Sequence, residues 1–379
     1  MLPTDHSSAL LVGRVQTADG PVVVTLRDGR VIDITSSAIP TMRDLLERDD
    51  PADYVLHAKG TDIGSLDDIA QGSTETPMTP HLLPPADLQA IKAAGVTFAE
   101  SMVERVIEEQ AAGNADRAHE IRMRVQGVIG ESLAGIVPGS DKAMQVKALL
   151  QKEGLWSQYL EVGIGPDAEV FTKCQPLAAV GWGASVGLHP MSHWNNPEPE
   201  VVLAVDSRGR ILGATLGNDV NLRDVEGRSA LLLGKAKDNN ASCAIGPFIR
   251  LFDGHYTMED VRRAELTLDV TGEDGFLLKG RSSMSRISRD PTDIVTQTIG
   301  RHHQYPDGFM LFLGTLFAPV QDRDAPGQGF THKPGDVVTI SDDRLGSLRN
   351  TVQLSTTCPE WTFGAGALMR NLASRGLLS

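Results

Sequence analysis

The stretch that decides the fold runs from residue 196 to residue 248 and reads NPEPEVVLAVDSRGRILGATLGNDVNLRDVEGRSALLLGKAKDNNASCAIGPF. Two apolar runs rich in β-branched residues, at 201–205 and 211–216, flank a polar segment that contains a glycine. This pattern is typical of a β-hairpin. With the turn centred between Arg208 and Gly209, Glu198 falls opposite Asp219 at the open end of the hairpin.

Three carboxylates are expected to converge at that open end. Glu198 and Glu200 are two residues apart, so they point to the same face of an extended strand, and Asp219 faces them. Like charges this close raise one another's pKa unless a cation is present. An all-oxygen set favours Mg²⁺, or Mn²⁺ or Ca²⁺, over zinc, and three ligands leave open positions for water or a chelating substrate. On spacing alone, the alternative is a set of solvated acids at strand ends.

The order of these motifs resembles the fumarylacetoacetate hydrolase superfamily. The motifs are E-P-E at 198–200, G-N-D-V-N-L-R-D at 217–224 and a lysine followed by G-P at 246–247, and the resemblance extends from about residue 170 to 352. It implies that Glu198, Glu200 and Asp219 bind Mg²⁺ or a similar ion. It also implies that Lys237 stands beside the substrate, with Lys235 as a rival.

Composition restricts the class of partner. The chain has 379 residues and a formal net charge of −14, which argues against nucleic acid or an anionic membrane as the partner. No apolar run approaches the ~20 residues that span a bilayer, and no signal-peptide pattern is present. The 3 cysteines are scattered and odd in number, which disfavours a disulfide framework. We expect a cytoplasmic protein that acts on a small molecule.

The patterns along the chain predict an α+β protein in three parts. Residues 1–80 are expected to form a small β-rich N-terminal domain, with a three-stranded meander at 9–34. Residues 81–160 are expected to be a helical connecting region that opens at Pro84, and 161–379 a catalytic domain. The resemblance implies a mixed β-roll for the catalytic domain, and assembly into a homodimer or a higher homo-oligomer.

Further site residues follow from the resemblance. Hydrolytic members use a histidine for water activation where this chain has Ser101, which we expect to contact the substrate instead. Glu169 stands where most hydrolases carry an apolar residue, and is either a surface residue or a buried functional one. Gly314 and Thr315 match a turn that binds the substrate carboxylate, the alternative being a bulge in a core strand. His189 lies close to Glu198 in sequence and is a further candidate.

These features together favour a 2-oxo acid as substrate. A metal ion that polarises the 2-keto group acidifies the C3 protons, and a hydroxyl at C4 then leaves as water. The chain is similar to the superfamily's dehydratases of 2-keto-3-deoxy-pentonates. That similarity implies 2,5-dioxopentanoate (α-ketoglutarate semialdehyde) as product in non-phosphorylative pentose catabolism, with Glu169 and Lys237 sharing the proton transfers. One alternative is an acylpyruvate- or fumarylpyruvate-type C–C hydrolase or an oxaloacetate decarboxylase, and another is a non-catalytic 2-oxo acid binding protein.

Overall fold

The computed structural model describes residues 1–98, 102, 106–107, 109–112, 114, 117–118, 121, 136–152 and 156–378. Its strands are β1 Leu11–Thr17, β2 Gly20–Arg27, β3 Arg30–Asp33, β4 Thr61–Ser65, β5 His81–Leu83, β6 Ala90–Gly95, β7 Glu169–Cys174, β8 Ser185–Leu188, β9 Asn195–Asn196, β10 Pro199–Val205, β11 Ile211–Asp219, β12 Asn221–Leu222, β13 Cys243–Leu251, β14 Glu265–Thr271, β15 Leu277–Ser283, β16 Phe309–Phe312, β17 Val337–Asp342 and β18 Gly346–Leu354. Its helices are α1 Met42–Leu46, α2 Pro51–His57, α3 Leu66–Gly72, α4 Asp141–Lys152, α5 Gln158–Ile164, α6 Arg223–Glu226, α7 Leu233–Lys237, α8 Met258–Arg262, α9 Pro291–Thr298 and α10 Ala365–Ser374. None of these helices is long and apolar enough to cross a membrane.

Two mixed sheets form the body of the described structure. The larger has 11 strands in the order β4-β3-β2-β1-β13-β11-β10-β16-β6-β7, with β5 also paired to β1. The smaller has 5 strands in the order β15-β14-β17-β18-β8. Strand β16 runs parallel to β6 and β18 parallel to β8, whereas the other neighbours that pair are antiparallel. The predicted α+β class with mixed sheets is confirmed, and within the described ranges neither strand order closes into a barrel.

The hairpin strand β10 lies inside the large sheet, between β11 and β16, and all 7 of its residues are buried. Val201, Leu203 and Val205 pack into the core shared with β14 and β17 of the smaller sheet. Val202 and Ala204 point the other way and pack towards residues of α1 and α2. Fully burying an aliphatic side chain contributes roughly 1.5–3 kcal/mol. Both faces of β10 are covered, which is why residues 201–205 are continuously apolar instead of alternating with polar residues.

The register predicted for the hairpin is confirmed. Strands β10 and β11 pair with Glu200 opposite Gly217, and the ladder shifts only close to the turn, after Ala204. Beyond the last pair of the ladder, the amide of Asp219 donates a hydrogen bond of 3.1 Å to the carbonyl of Glu198. Glu198 and Asp219 therefore face each other at the open end.

The N-terminal meander is also confirmed, since β1, β2 and β3 pair in sequence. Strand β1 continues directly into the large sheet by pairing with β13. Strands from both sides of residue 80 therefore share one sheet. The division of the chain at residues 80 and 160 stays a prediction.

The prediction that a helical region opens at Pro84 was wrong, because residues 90–95 form strand β6. The sequence of this segment, A-I-K-A-A-G, contains residues that favour helices. Strand β6 nevertheless lies between β16 and β7 and makes ladder bonds to both. Pairing to two strands outweighs the local preference, and it brings Gly95 to the site described next.

Candidate metal and substrate site

The structure brings the three predicted metal ligands together. Ligand oxygens of Glu198, Glu200 and Asp219 all lie within 4.8 Å of one another. All three residues are buried, with at most 4% of their surface exposed. Oxygen ligands lie roughly 2.0–2.6 Å from Mg²⁺ or Ca²⁺, so oxygens that share one ion are separated by at most about 4–5 Å. The triad therefore fits a hard divalent cation.

The electrostatics of Glu200 also favour a bound divalent cation. Burial raises the pKa of this carboxyl well above its ordinary value, and the charges of Asp219 and Glu198 raise it further. The charge of Lys237 and a hydrogen bond of 2.6 Å from the amide of Gly314 oppose the rise without cancelling it. Two neighbouring negative charges thus make ionisation of Glu200 unfavourable, and a divalent cation would reverse that balance.

Lys237 is the last residue of α7 and is 2% exposed. Its Nζ lies 2.5 Å from Glu198 Oε2 and 3.0 Å from Asp219 Oδ2. Lys235, on the same short helix, is exposed and does not line the cavity. The structure therefore places Lys237, and not its rival, beside the carboxylates.

A second lysine, Lys173 on β7, lies behind the triad and was given no role from the sequence. It is fully buried, and its Nζ is 2.9 Å from Asp219 Oδ1. The same ammonium group donates hydrogen bonds to the carbonyl of Lys237 and, at 3.4 Å, to the carbonyl of Val220 and to Ser242 Oγ. Lys173 thus ties a metal ligand to the backbone of Lys237.

One small cavity joins these groups to other predicted site residues. Its lining comes from β6 and β7, the hairpin, α6 and α7, and the turn after β16: Ala94, Gly95, Val96, Glu169, Phe171, Glu198, Glu200, Asp219, Glu226, Lys237, Gly314 and Thr315. The catalytic candidates Glu169 and Lys237 therefore share a cavity with the three metal ligands. Five carboxyl groups and one ammonium group face it, so acidic groups outnumber basic ones in the lining.

Glu169 lies at the start of β7, where it pairs with Gly95 of β6. The residue is half-buried, and its side chain forms part of the cavity wall. A Cβ atom added at Gly95 would lie 2.7 Å from Glu169 Cδ, inside ordinary van der Waals contact. Glycine at position 95 therefore leaves the space that the Glu169 carboxylate occupies. Glu169 is therefore a cavity residue, and its functional role stays a prediction.

The Gly314–Thr315 turn follows β16 by one residue and lines the same cavity. Gly314 has a φ of +86°, in the left-handed region that favours glycine. Thr97 fixes the turn, because its Oγ1 donates a hydrogen bond of 2.6 Å to the carbonyl of Leu313. The Gly314 amide is bound to Glu200 Oε2 in this structure, and the Thr315 hydroxyl accepts a hydrogen bond from the amide of Phe317.

Of the two remaining candidates the structure describes only His189, and one cavity residue was not predicted. Ser101 falls outside the described residues, and His189 does not line the cavity. Glu226, at the end of α6, is 6% exposed and lines the cavity, although the sequence reasoning assigned it nothing. It follows the N-D-V-x-x-R-D motif by two residues, which is the only signal that could have drawn attention to it.

Residues 197–353, which carry the triad and Lys237, match the family described as fumarylacetoacetate (FAA) hydrolase C-terminal. This region therefore resembles the fumarylacetoacetate hydrolase family. The match begins one residue before Glu198 and ends near the close of β18, so it contains the hairpin and most of the smaller sheet.

Two relatives of this chain are sugar-acid dehydratases by name. The 2-dehydro-3-deoxy-D-arabinonate dehydratase of Saccharolobus solfataricus is 30% identical over 185 residues, which is 49% of this chain and 58% of that protein. The probable 2-keto-3-deoxyxylonate dehydratase of Haloferax volcanii is 29% identical over 202 residues, 53% of this chain and 66% of that protein. The matched segments thus span about three fifths to two thirds of these relatives.

Solved structures extend the likeness of the fold to most of the chain. The apo form of a 2-keto-3-deoxy-D-arabinonate dehydratase superposes with a TM-score of 0.64 at 20% identity, covering 91% of this chain and 99% of that one. A 2-keto-3-deoxy-D-arabinonate dehydratase complexed with magnesium and 2,5-dioxopentanoate gives a TM-score of 0.62 at 20% identity, with the same coverage. At this level of identity the likeness establishes the fold.

Proposed function

We propose that this protein is a divalent-metal-dependent dehydratase that converts a 2-keto-3-deoxy-pentonate to 2,5-dioxopentanoate, in non-phosphorylative pentose catabolism. One observation carries the proposal. The three candidate metal ligands, Glu198, Glu200 and Asp219, line the same cavity as two groups that can transfer protons, Glu169 and Lys237. Both named relatives act on substrates of this class, which supports the choice of substrate. Mg²⁺ is the proposed metal, because the donor set is all oxygen and the related dehydratase is complexed with magnesium.

A divalent ion held by the triad supplies positive charge that polarises the 2-keto group of the substrate and acidifies its C3 protons. The chain's own residues then have two proton transfers to perform. One removes a proton from C3, and the other delivers a proton to the C4 hydroxyl so that it departs as water. Glu169 and Lys237 are the groups proposed to share these transfers, since both line the cavity and a carboxyl and an amino group can each give or take a proton.

The remaining cavity groups are proposed to orient the substrate. The Gly314 amide and the Thr315 hydroxyl present a donor pair for the substrate carboxylate. The Gly314 amide becomes available for this contact when Glu200, which accepts its hydrogen bond, turns to a metal ion. Glu226 adds a buried carboxylate, which suits a hydrogen bond from a substrate hydroxyl. A polyhydroxy monocarboxylate therefore matches this cavity better than a dicarboxylate does.

The test is a direct assay of both bond types. The Mg²⁺-loaded protein is incubated with 2-keto-3-deoxy-pentonate of each C4 configuration, and separately with an acylpyruvate, oxaloacetate and fumarylpyruvate. We expect 2,5-dioxopentanoate from at least one pentonate, and its loss in Glu200→Gln and Lys237→Ala. Lys235→Ala is the matched control, because Lys235 is an exposed lysine on the same helix, and it should keep full activity.

Other results of this assay would refute the proposal. Cleavage of an acylpyruvate or fumarylpyruvate with the pentonates untouched identifies a C–C hydrolase, and loss of CO₂ from oxaloacetate identifies a decarboxylase. Tight binding of pentonates without turnover identifies a 2-oxo acid binding protein. The cytoplasmic location and the homo-oligomeric assembly stay predictions.

A further inference from the structure

The ammonium group of Lys237 lies between two of the three triad carboxylates. Its Nζ is 2.5 Å from Glu198 Oε2 and 3.0 Å from Asp219 Oδ2, and these residues face each other across the open end of the hairpin. A divalent ion bound by both oxygens would lie roughly 2.0–2.6 Å from each of them. The nitrogen and the ion would therefore occupy nearly the same place.

The two buried lysines differ in how they are held. Lys173 Nζ contacts Asp219 Oδ1, but it also donates to two carbonyls and to Ser242 Oγ, none of which belongs to the triad. These partners keep Lys173 in place whether or not a metal ion is bound. Lys237 contacts Glu198 Oε2 and Asp219 Oδ2, two triad oxygens that a metal ion would take.

We propose that Lys237 is an exchangeable counter-cation, which neutralises the triad in the metal-free protein and is displaced into the cavity when a divalent ion binds. This inference rests on the metal site of the proposed function. Two cations cannot share the space between Glu198 and Asp219, because their repulsion is large where water is excluded. The ring of Phe171 lines the same cavity, and its centroid is already 5.7 Å from Lys237 Nζ, so an ammonium group displaced into the cavity can keep a favourable contact with the ring.

The exchange links metal affinity to the stability of the metal-free protein. Removing the ammonium leaves three buried carboxylates facing one another, so the metal-free form of Lys237→Met should be less stable than wild type. In Lys237→Met a divalent ion can also bind without first displacing the ammonium group, so binding costs less free energy. We therefore expect Lys237→Met to bind Mn²⁺ about tenfold more tightly than wild type, and to gain more in melting temperature on adding Mg²⁺.

The experiment is a calorimetric Mn²⁺ titration together with thermal unfolding with and without Mg²⁺, on wild type, Lys237→Met and Lys235→Met. Lys235→Met removes an exposed lysine from the same helix and should match wild type in both measurements. A second measurement uses the wild-type protein alone, in case the variant does not fold without metal. Amine labelling followed by mass spectrometry should show Lys237 becoming more reactive with Mg²⁺, while buried Lys173 stays protected throughout.

The outcomes separate this inference from the proposed function. If wild type binds no divalent ion, the metal site itself is wrong, and the exchange is wrong with it. If wild type binds Mn²⁺ but Lys237→Met binds it equally or more weakly, and Lys237 labelling does not rise with Mg²⁺, the exchange is refuted while the metal site stands.

Discussion

Replacing Gly95 by alanine tests whether the position of the Glu169 carboxylate matters for turnover. The new Cβ would clash with Glu169 Oε2 and would lie 2.7 Å from Cδ, whereas ordinary contact begins at 3.4 Å, so Cδ must retreat by at least 0.7 Å and the oxygen by more. A displacement of about 1 Å in a reacting group costs roughly a hundredfold in rate. We therefore expect kcat/KM for the pentonate to fall between roughly tenfold and a hundredfold, equivalent to about 1.4–2.7 kcal/mol of transition-state stabilisation.

The assay follows 2,5-dioxopentanoate formation in Gly95→Ala, Glu169→Gln and the double variant, with Mn²⁺ affinity measured alongside. Metal affinity should stay at the wild-type level, because the three atoms nearest to a Cβ at position 95 all belong to Glu169 and none to the triad. Gly254→Ala is the matched control, since a Cβ there meets nothing within 4 Å. Two results would show that Gly95 does not act by positioning Glu169. One is a wild-type rate in Gly95→Ala, and the other is a double variant that is slower than Glu169→Gln alone.

Three further changes have defined outcomes. Glu200→Gln should weaken Mn²⁺ binding by more than about tenfold in a calorimetric titration, because it removes one charged ligand; unchanged affinity would exclude Glu200 from the metal site. Glu226→Gln should raise the KM for the pentonate roughly 10- to 100-fold at unchanged metal affinity, through loss of a charge-assisted hydrogen bond; an unchanged KM would remove Glu226 from the substrate contacts. Burial raises the pKa of Asp336, but hydrogen bonds from His332 and Arg323 lower it to about 2 overall. Its contribution to the free energy of unfolding is therefore complete above the unfolded value of 3.8 and is lost as the pH falls through about 2. The stability difference between wild type and Asp336→Asn in urea unfolding should shrink over that pH range, and a constant difference would contradict it.

The hairpin shows how much of the site the sequence could supply. Two apolar runs and one turn fixed the register, and the register alone placed Glu198 opposite Asp219. This works because strand pairing converts sequence spacing directly into geometry. The same local rules predicted the N-terminal meander.

The parts that the sequence left open, missed or predicted wrongly depend on contacts between distant segments. Strand β6 carries residues that favour a helix, and only its two neighbours in the sheet make it a strand. Lys235 and Lys237 are both lysines near the end of one short helix, and only the burial of one side of that helix separates them. Glu226 and Lys173 were missed because their positions are set by how α6 and β7 pack around the cavity, which local sequence patterns do not encode.

The place of β16 in the large sheet has a consequence for synthesis on the ribosome. This strand lies between β6 and β10, although it emerges about a hundred residues after β10. Until it arrives, a nascent chain holds two apolar strands with unpaired edges, and such edges recruit other chains. A premature stop anywhere before residue 309 would leave that gap permanently open. Such truncated products should form inclusion bodies even when the whole metal triad has been made.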